Sequence, residues 1–250
     1  MGATLNRLRV KADLALLLSP LALPQALRLK RKAERLPEAP GQRSGSLAGA
    51  EPGLRLLAIG ESPLAGVGLE SQDQALTARL ATGLAKHGAR QINWQCAARS
   101  GVTARRSLEE LVPLLSPGPV DLVLVGLGVN DSIRLRAPKR WQSDLRNLIQ
   151  HLRQRHGPVP VILTGVPDMQ RFPLLPEPLA LMLGLRSRLL DYAAAELAAR
   201  LDQVHHAPLP LDGAAGQLFC EDGFHPNAQG HAQWAEQLGR FVIEKSLVGH

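Results

Sequence analysis

Cysteine is scarce in this chain, which has only Cys96 and Cys220 among its 250 residues. They form no Cys-x-x-Cys motif and have no Cys/His ligand spacing, so the sequence does not support a structural zinc site. Either one disulfide or two separate thiols is consistent with the pair, and we favour the thiols. Cysteine usage therefore does not fix the compartment.

Aromatic residues make up only 3% of the chain, so the core must be built from Leu, Val, Ile and Ala. The net charge is +7, which by itself would suit an anionic partner. The basic excess, however, is concentrated near the N-terminus, and no basic stripe interleaved with aromatic residues follows it. We therefore expect no nucleic-acid partner. No sequence period of about 20–50 residues recurs, which argues against a repeat architecture.

The chain also lacks an obvious membrane-spanning run, because the apolar stretch from Leu14 to Leu27 is short and contains Pro20 and Pro24. Basic residues flank this stretch on both sides. The basic start and the apolar stretch suit a signal peptide, although Asp13 lies between them and no clear cleavage site follows. The stretch also suits a membrane-surface anchor through residues 14–32, or an arm packed on its own domain. We expect a cytoplasmic protein, with membrane association or export as the alternatives.

The remaining sequence predicts one α/β domain. Residues 37–53 are rich in Pro, Gly, Ser and Ala, which predicts a linker, so the chain divides into an arm and linker, 1–53, and a domain, 54–250. Strands are predicted at Leu54–Ile59, Gln91–Cys96, Asp121–Val125, Val159–Leu163 and Val204–Ala207. Helices are predicted at about 71–87, 103–115, 139–156, 178–202 and 227–246. This alternation predicts a three-layer α/β/α sandwich with a flavodoxin-like, five-stranded parallel sheet.

Four motifs follow the predicted strands and carry reactive or polar groups. Ser62 follows the first strand, Gly101 the second, Asn130 the third and His225 the last. Because ligands bind beyond the carboxyl ends of the strands in such sheets, we expect these residues to converge on one edge. The motifs are Gly60-Glu61-Ser62, Arg99-Ser100-Gly101, Gly128-Val129-Asn130-Asp131 and Asp222-Gly223-Phe224-His225.

Together these residue types indicate a serine hydrolase. Asp222, three residues before His225, can orient that imidazole and stabilise its cation, and Ser62 would then have a general base. The Asn130 amide and the Gly101 backbone N–H can stabilise an oxyanion. Each motif alone is weak, since capping serines and turn residues are common. Their combination and order over most of the chain carry the interpretation.

With these motifs, residues 54–240 resemble the SGNH hydrolases, also called GDSL esterases and lipases. The resemblance implies that Ser62 is the nucleophile, that His225 is its base and that Asp222 orients His225. It also implies an oxyanion hole made by the Ser62 and Gly101 backbone N–H groups and the Asn130 amide, with no metal or organic cofactor. Glu61 departs from the family, which usually has Asp at that position. Its longer side chain would change the hydrogen bonds to neighbouring loops.

The segment 165–184 follows the fourth strand and is rich in apolar residues. These residues either line an acyl-chain pocket, which is our prediction, or merely pack a loop and a helix start. The residues predicted to line the pocket are Met169, Phe172, Leu174, Leu175 and Met182. We therefore expect a carboxylic-ester hydrolase acting on simple or lipid-like acyl esters. The alternatives are a carbohydrate O-deacetylase on the same fold and a membrane-tethered, non-catalytic binding protein.

Overall fold

The computed structural model describes residues 2–32, 36–88, 90–209 and 215–248. The strands are β1 (Ser44–Leu47), β2 (Ala50–Gly60), β3 (Arg90–Ala98), β4 (Leu122–Gly126), β5 (Val161–Thr164) and β6 (Val204–Ala207). The α-helices are α1 (Gly2–Ala15), α2 (Ser19–Lys32), α3 (Ser62–Ala65), α4 (Leu76–Gly88), α5 (Ala104–Glu110), α6 (Val129–Ile133), α7 (Pro138–His156), α8 (Leu179–Ala198) and α9 (Ala228–Glu244). The strands form one sheet in the order β1-β3-β2-β4-β5-β6.

All five predicted strands are present, as β2 to β6, and each is parallel to its neighbours among them. Their order is the flavodoxin-like one, and helices cover both faces as predicted. The strand count was wrong, because β1 adds an antiparallel edge strand that pairs Ser44 with Gln95. The sheet is therefore mixed and six-stranded.

The predicted linker accordingly belongs in part to the sheet. β1 and the start of β2 lie within residues 37–53, so the boundary after residue 53 falls inside β2. The sequence Ser-Gly-Ser-Leu of β1 has no apolar run, because an edge strand is only half covered. Its strand character depends on pairing with β3, which its own composition does not reveal.

The two faces of the sheet bury two apolar clusters, which explains why the central strands read as continuous apolar runs. Alternate side chains of β4 enter different clusters, with Val123 and Val125 in one and Leu122 and Leu124 in the other. Helices α5, α7 and α8 cover the first face. Helices α4 and α9 cover the second. The parallel sheet is thus shielded from solvent on both sides.

The N-terminal arm, residues 2–32, packs on its own domain. Among its described side chains, Ala12, Ala15 and Ala22 are buried in an apolar cluster with α8, and partly buried leucines of the arm pack against the same cluster. Gln25 fixes the arm further, because its Nε2 donates to the Glu177 carbonyl at 2.7 Å and its Oε1 accepts from the Leu179 N–H at 3.3 Å. Small side chains let the arm approach α8 closely.

By length and composition, the arm is also a helical stretch that could cross a membrane, contrary to the expectation from its short apolar run. The helical stretch Asn6–Arg31 is 26 residues long, with a mean hydropathy of 1.3 in its most apolar part. The stretch is long enough because the helix continues through the prolines and into the basic flanks. A signal sequence can have the same length and hydropathy, so the roles of signal and anchor stay predictions.

Candidate active site

The four predicted motifs lie at the carboxyl edge of the sheet. Ser62 begins α3 directly after β2, Gly101 follows β3, and Asn130 lies in α6 after β4. His225 lies just before α9. Ser62 and His225 form part of the wall of the same cavity, although 163 positions separate them in sequence. The topology of the sheet brings them together, as expected.

The sharp turn after β2 presents Ser62. Gly60 allows β2 to approach β4, since a Cβ at this position would lie 2.1 Å from the Gly126 carbonyl oxygen. The Glu61 N–H donates to that same carbonyl at 2.9 Å. Ser62 is then the first residue of α3, where a backbone N–H has no partner within the helix. The Ser62 hydroxyl and the Ser62 backbone N–H therefore both lie at the first turn of α3.

Asp222 and His225 form a tight pair within one turn. Asp222 Oδ2 lies 2.6 Å from His225 Nδ1. The other carboxylate oxygen, Oδ1, accepts the backbone N–H groups of Phe224 at 2.9 Å and His225 at 3.0 Å. A carboxylate on Nδ1 places the proton there and leaves Nε2 as an acceptor. The pair therefore holds His225 in the tautomer that a general base needs.

The oxyanion-hole candidates Gly101 and Asn130 lie on neighbouring loops. Gly101 has a φ of +79°, a conformation that favours glycine, and no atom crowds the place of a Cβ. The Asn130 side-chain amide donates a hydrogen bond to Glu61 Oε2. Since a primary amide has two hydrogens, one remains for an oxyanion.

Glu61 connects the Ser62 loop to the Asn130 loop. Its carboxylate accepts the backbone N–H groups of Val129 at 2.9 Å and Asn130 at 3.0 Å, besides the Asn130 amide. The residue is 2% exposed. Burial raises the pKa of Glu61 to about 7, although the donated hydrogen bonds oppose this rise. The extra methylene relative to Asp thus belongs to a carboxylate that connects the two loops carrying Ser62 and Asn130.

Asp131 makes a second such connection, from the Asn130 loop to the Gly101 loop. Its Oδ2 accepts the N–H of Ala104, the first residue of α5, at 3.0 Å. Burial raises the pKa of Asp131 to about 6. Two buried carboxylates, Glu61 and Asp131, therefore tie together the three loops that carry Ser62, Asn130 and Gly101. The sequence motifs indicated that Glu61 would reach neighbouring loops, but they predicted no such role for Asp131.

The segment 36–43, predicted to be linker, also supports these loops. Glu38 Oε1 accepts the N–H of Ser100 at 2.7 Å, directly beside Gly101. Arg43 holds Glu38 through Oε2 at 2.5 Å and donates to the Ala98 carbonyl. The Pro- and Gly-rich composition of this segment predicted a linker, and only the folded chain reveals these contacts.

An open cavity lies beside Ser62 and His225, with about 860 Å³ of empty space that includes part of the open solvent at its mouth. Its walls are mostly apolar and include Leu64, Leu127, Phe172, Phe224 and Trp234. Most of these residues come from the strand ends, the His225 loop and α9. The cavity therefore extends past His225 toward α9.

The predicted substrate residues are distributed differently from the expectation. Phe172 alone of the five lines this cavity. Met169 is fully buried, and Met182 packs in the cluster that α8 shares with the arm. Leu174 donates its backbone N–H to the Gly223 carbonyl, and Leu175 packs partly buried against the same cluster. Apolarity indicated burial correctly, but it did not distinguish cavity walls from packing between helices.

A second His–Asp pair shows that such a contact does not by itself mark a site. His206 Nε2 lies 2.8 Å from Asp191 Oδ1, which also accepts the Val166 N–H. This pair joins β6 to α8, and neither residue lines the cavity. His225 differs because it shares the cavity wall with Ser62. Within the described residues, no cluster of His, Cys, Asp and Glu suits a metal ion.

Comparisons with known proteins bear on the family and the fold of this chain. The sequence matches the GDSL-like lipase/acylhydrolase family over residues 58–233. The fold resembles the crystal structure of TesA, with a TM-score of 0.63 and 26% identity, covering 78% of this chain and 99% of that one. A lipase/acylhydrolase from Enterococcus faecalis gives a TM-score of 0.60 at 20% identity, covering 77% and 96% of the two chains.

A carbohydrate esterase family 2 enzyme with a carbohydrate-binding domain, from Corynascus thermopiles, also shares the fold. Its TM-score is 0.57 at 16% identity, covering 79% of this chain and 68% of that one. At identities this low, the likeness to it and to the Enterococcus protein shows the fold alone. A comparison with curated protein sequences gave no match.

Proposed function

Because the chain belongs to the GDSL-like lipase/acylhydrolase family, we propose that it hydrolyses carboxylic esters of apolar acyl chains with Ser62, His225 and Asp222. One observation carries the proposal. The Asp222–His225 pair and Ser62 lie at a single apolar cavity, whereas the other His–Asp pair lies outside it. Ester hydrolysis in general follows from the family. The triad and the acyl preference are our proposal.

In the proposed reaction, Ser62 Oγ attacks the ester carbonyl while His225 Nε2 accepts the hydroxyl proton. The Ser62 and Gly101 N–H groups and the free hydrogen of the Asn130 amide stabilise the tetrahedral oxyanion. His225 then donates its proton to the leaving alcohol, which leaves an acyl-Ser62 ester. Water, deprotonated by His225, hydrolyses this ester, releases the acid and restores Ser62. Asp222 stabilises the imidazolium in both halves of the reaction.

The apolar walls favour an acyl chain over a sugar as the group that fills the cavity. Phe172, Phe224 and Trp234 offer aromatic surface there, which suits methylene groups. A carbohydrate O-deacetylase would instead need polar groups for sugar hydroxyls.

The test is hydrolysis of p-nitrophenyl esters of increasing acyl length, together with labelling by a fluorophosphonate. We expect turnover beyond the acetyl ester and labelling of a single serine. Both should be lost in Ser62→Ala and retained in Ser143→Ala, which removes an exposed serine of α7. Acetylated xylo-oligosaccharides serve as the competing substrate.

Two outcomes would contradict the proposal. Turnover of acetylated sugars with little activity on longer acyl esters would favour the deacetylase. A folded protein that neither hydrolyses any ester nor reacts with the fluorophosphonate would favour a non-catalytic binding protein.

A further inference from the structure

The N-terminal arm has two different faces. Its inner face carries the buried alanines and partly buried leucines, among them Leu16 and Leu18, that pack in the cluster shared with α8. Its outer face carries Val10, Leu14, Leu17 and Leu21, which are 57%, 59%, 76% and 63% exposed. Their spacing of four, three and four residues places them in one stripe along a helix. The exposed apolar residues therefore form a continuous surface opposite the packed one.

Basic residues lie at both ends of this apolar stripe. All of them are exposed, and Asp13 is the single acidic residue between residues 6 and 31. Part of the Asp13 charge is engaged, since Arg9 Nε lies 3.8 Å from its carboxylate. The basic residues are Arg7, Arg9 and Lys11 around the start of the stripe and Arg28, Lys30 and Arg31 beyond its end.

We propose that the outer face of the arm binds an anionic membrane surface and lies in the headgroup region while the inner face stays on α8. Exposed leucines would enter the boundary between headgroups and acyl chains. The basic residues at the two ends would contact anionic headgroups. An apolar stripe between two basic clusters matches this surface in both polarity and charge.

The packing favours a surface position over a membrane span. A spanning arm would have to leave α8 and so expose the apolar side chains of Met182, Leu185 and Leu189, which the shared cluster now buries. It would also lose both hydrogen bonds of Gln25 to the start of α8. Binding through the outer face alone keeps all of these contacts.

Charge also argues against a second copy of the arm as the partner. Two arms packed through their stripes would bring basic clusters close together, in either orientation, with only Asp13 of each arm to compensate. Repulsion between like charges would then oppose burial of the leucines. An anionic bilayer has no such conflict, because it supplies the opposite charge along the whole arm.

The test uses the full-length chain and sedimentation with vesicles. We expect binding to phosphatidylcholine vesicles that contain phosphatidylglycerol, weaker binding to phosphatidylcholine alone, and weaker binding at high salt. Leu17→Glu and Leu21→Glu should each lower the affinity at least about tenfold, since each removes a buried leucine contact and adds repulsion. Replacing Arg28 or Arg31 by Gln should lower it roughly fivefold each.

The matched control is Leu114→Glu, which alters a leucine that is 67% exposed but lies far from the arm in sequence, before β4. It should leave vesicle binding unchanged. Equal melting temperatures of all variants would show that they fold alike. Because the readout is sedimentation, no result depends on enzymatic activity.

Three outcomes would overturn the inference. The first is vesicle binding by Leu17→Glu and Leu21→Glu that equals binding by the unaltered chain. The second is resistance to carbonate extraction, which would indicate a span. The third is a stable dimer in solution that Leu17→Glu dissociates, which would make a second copy the occupant of the stripe.

Discussion

The two sides of the candidate active site are built in different ways. On the nucleophile side, Ser62, Gly101 and Asn130 lie on three separate loops, and the buried carboxylates of Glu61 and Asp131 connect these loops. On the base side, Asp222 and His225 lie in one short turn and fix each other directly. One side depends on long-range contacts, whereas the other is almost entirely local.

This difference predicts how each side responds to mutation. A local pair should fail completely when one member is changed, because nothing else orients the imidazole. A network of several donors should fail in steps, because each loop retains other hydrogen bonds. Substitutions that remove one contact at a time can therefore test the comparison, and four follow here in order of expected effect.

The largest effect is expected on the base side. Asp222→Asn should lower kcat by about 10⁴-fold, because an amide can donate to Nδ1 and so stabilise the wrong tautomer of His225. The measurement is steady-state hydrolysis of a soluble ester. Glu221→Gln, which removes the exposed carboxylate next to it, should have little effect. An Asp222→Asn enzyme of nearly full activity would mean that another group orients the imidazole.

On the nucleophile side, Asn130→Ala should lower kcat by about 100–1000-fold, the usual effect of losing one oxyanion donor. KM should change little, because the amide acts mainly on the transition state. Kinetics at saturating ester separates the two constants. A rise in KM with an unchanged kcat would place Asn130 in substrate binding instead.

A smaller effect is expected when the connection between two loops is altered. Glu61→Gln should lower kcat by roughly 10–100-fold, since one amide oxygen cannot accept all three N–H groups and the Gln NH₂ meets other donors. The unaltered enzyme should lose activity in acid partly because Glu61, whose pKa is raised to about 7, becomes protonated.

The pH profile provides the check on that assignment. The acid limb of log kcat should be shallower in Glu61→Gln, because one titrating group has been removed. Glu61→Asp, which keeps the charge, should retain the pH dependence with a lower kcat. Identical acid limbs in all three proteins would show that Glu61 does not control the oxyanion loops.

The smallest effect on activity, but a clear one on stability, is expected for Asp131→Asn. Because burial raises the pKa of Asp131 to about 6, its contribution to stability is complete below its unfolded pKa of about 4 and is lost as pH rises through 6. The contribution of Asp131 to the free energy of unfolding should therefore be lower at pH 8 than at pH 4, by on the order of 2–3 kcal/mol.

Asn is neutral and still accepts the Ala104 N–H, so the difference in melting temperature, pH 8 minus pH 4, should be more positive in the variant than in the unaltered chain. Asp73→Asn, which alters an exposed carboxylate, serves as the control and should leave the difference unchanged. An unaltered pH dependence in Asp131→Asn would mean that ionisation of Asp131 does not lower the free energy of unfolding.

Local patterns carried most of the successful predictions. Continuous apolar runs predicted β2, β4 and β5, weaker strand signals predicted β3 and β6, and the helix positions followed from the intervening periodicity. The antiparallel strand β1 was missed, since four small or half-exposed residues have no strand signal without their partner β3. Phe172 was placed in the cavity, but Met169 and Met182 pack elsewhere, because a buried apolar side chain looks the same in sequence whatever it contacts.

The sequence by itself determined the order of the strands along the chain, the position of four motifs at strand ends, and a His–Asp pair three residues apart. These depend on contacts within a few residues, where side-chain periodicity and turn chemistry act. Only the tertiary structure decided that Glu61 and Asp131 join three loops, that the segment around Glu38 supports one of them, and that the arm buries alanines while exposing leucines. Each of these is set by groups far apart in the chain, whose burial and hydrogen bonding arise only when the sheet and its covering helices pack.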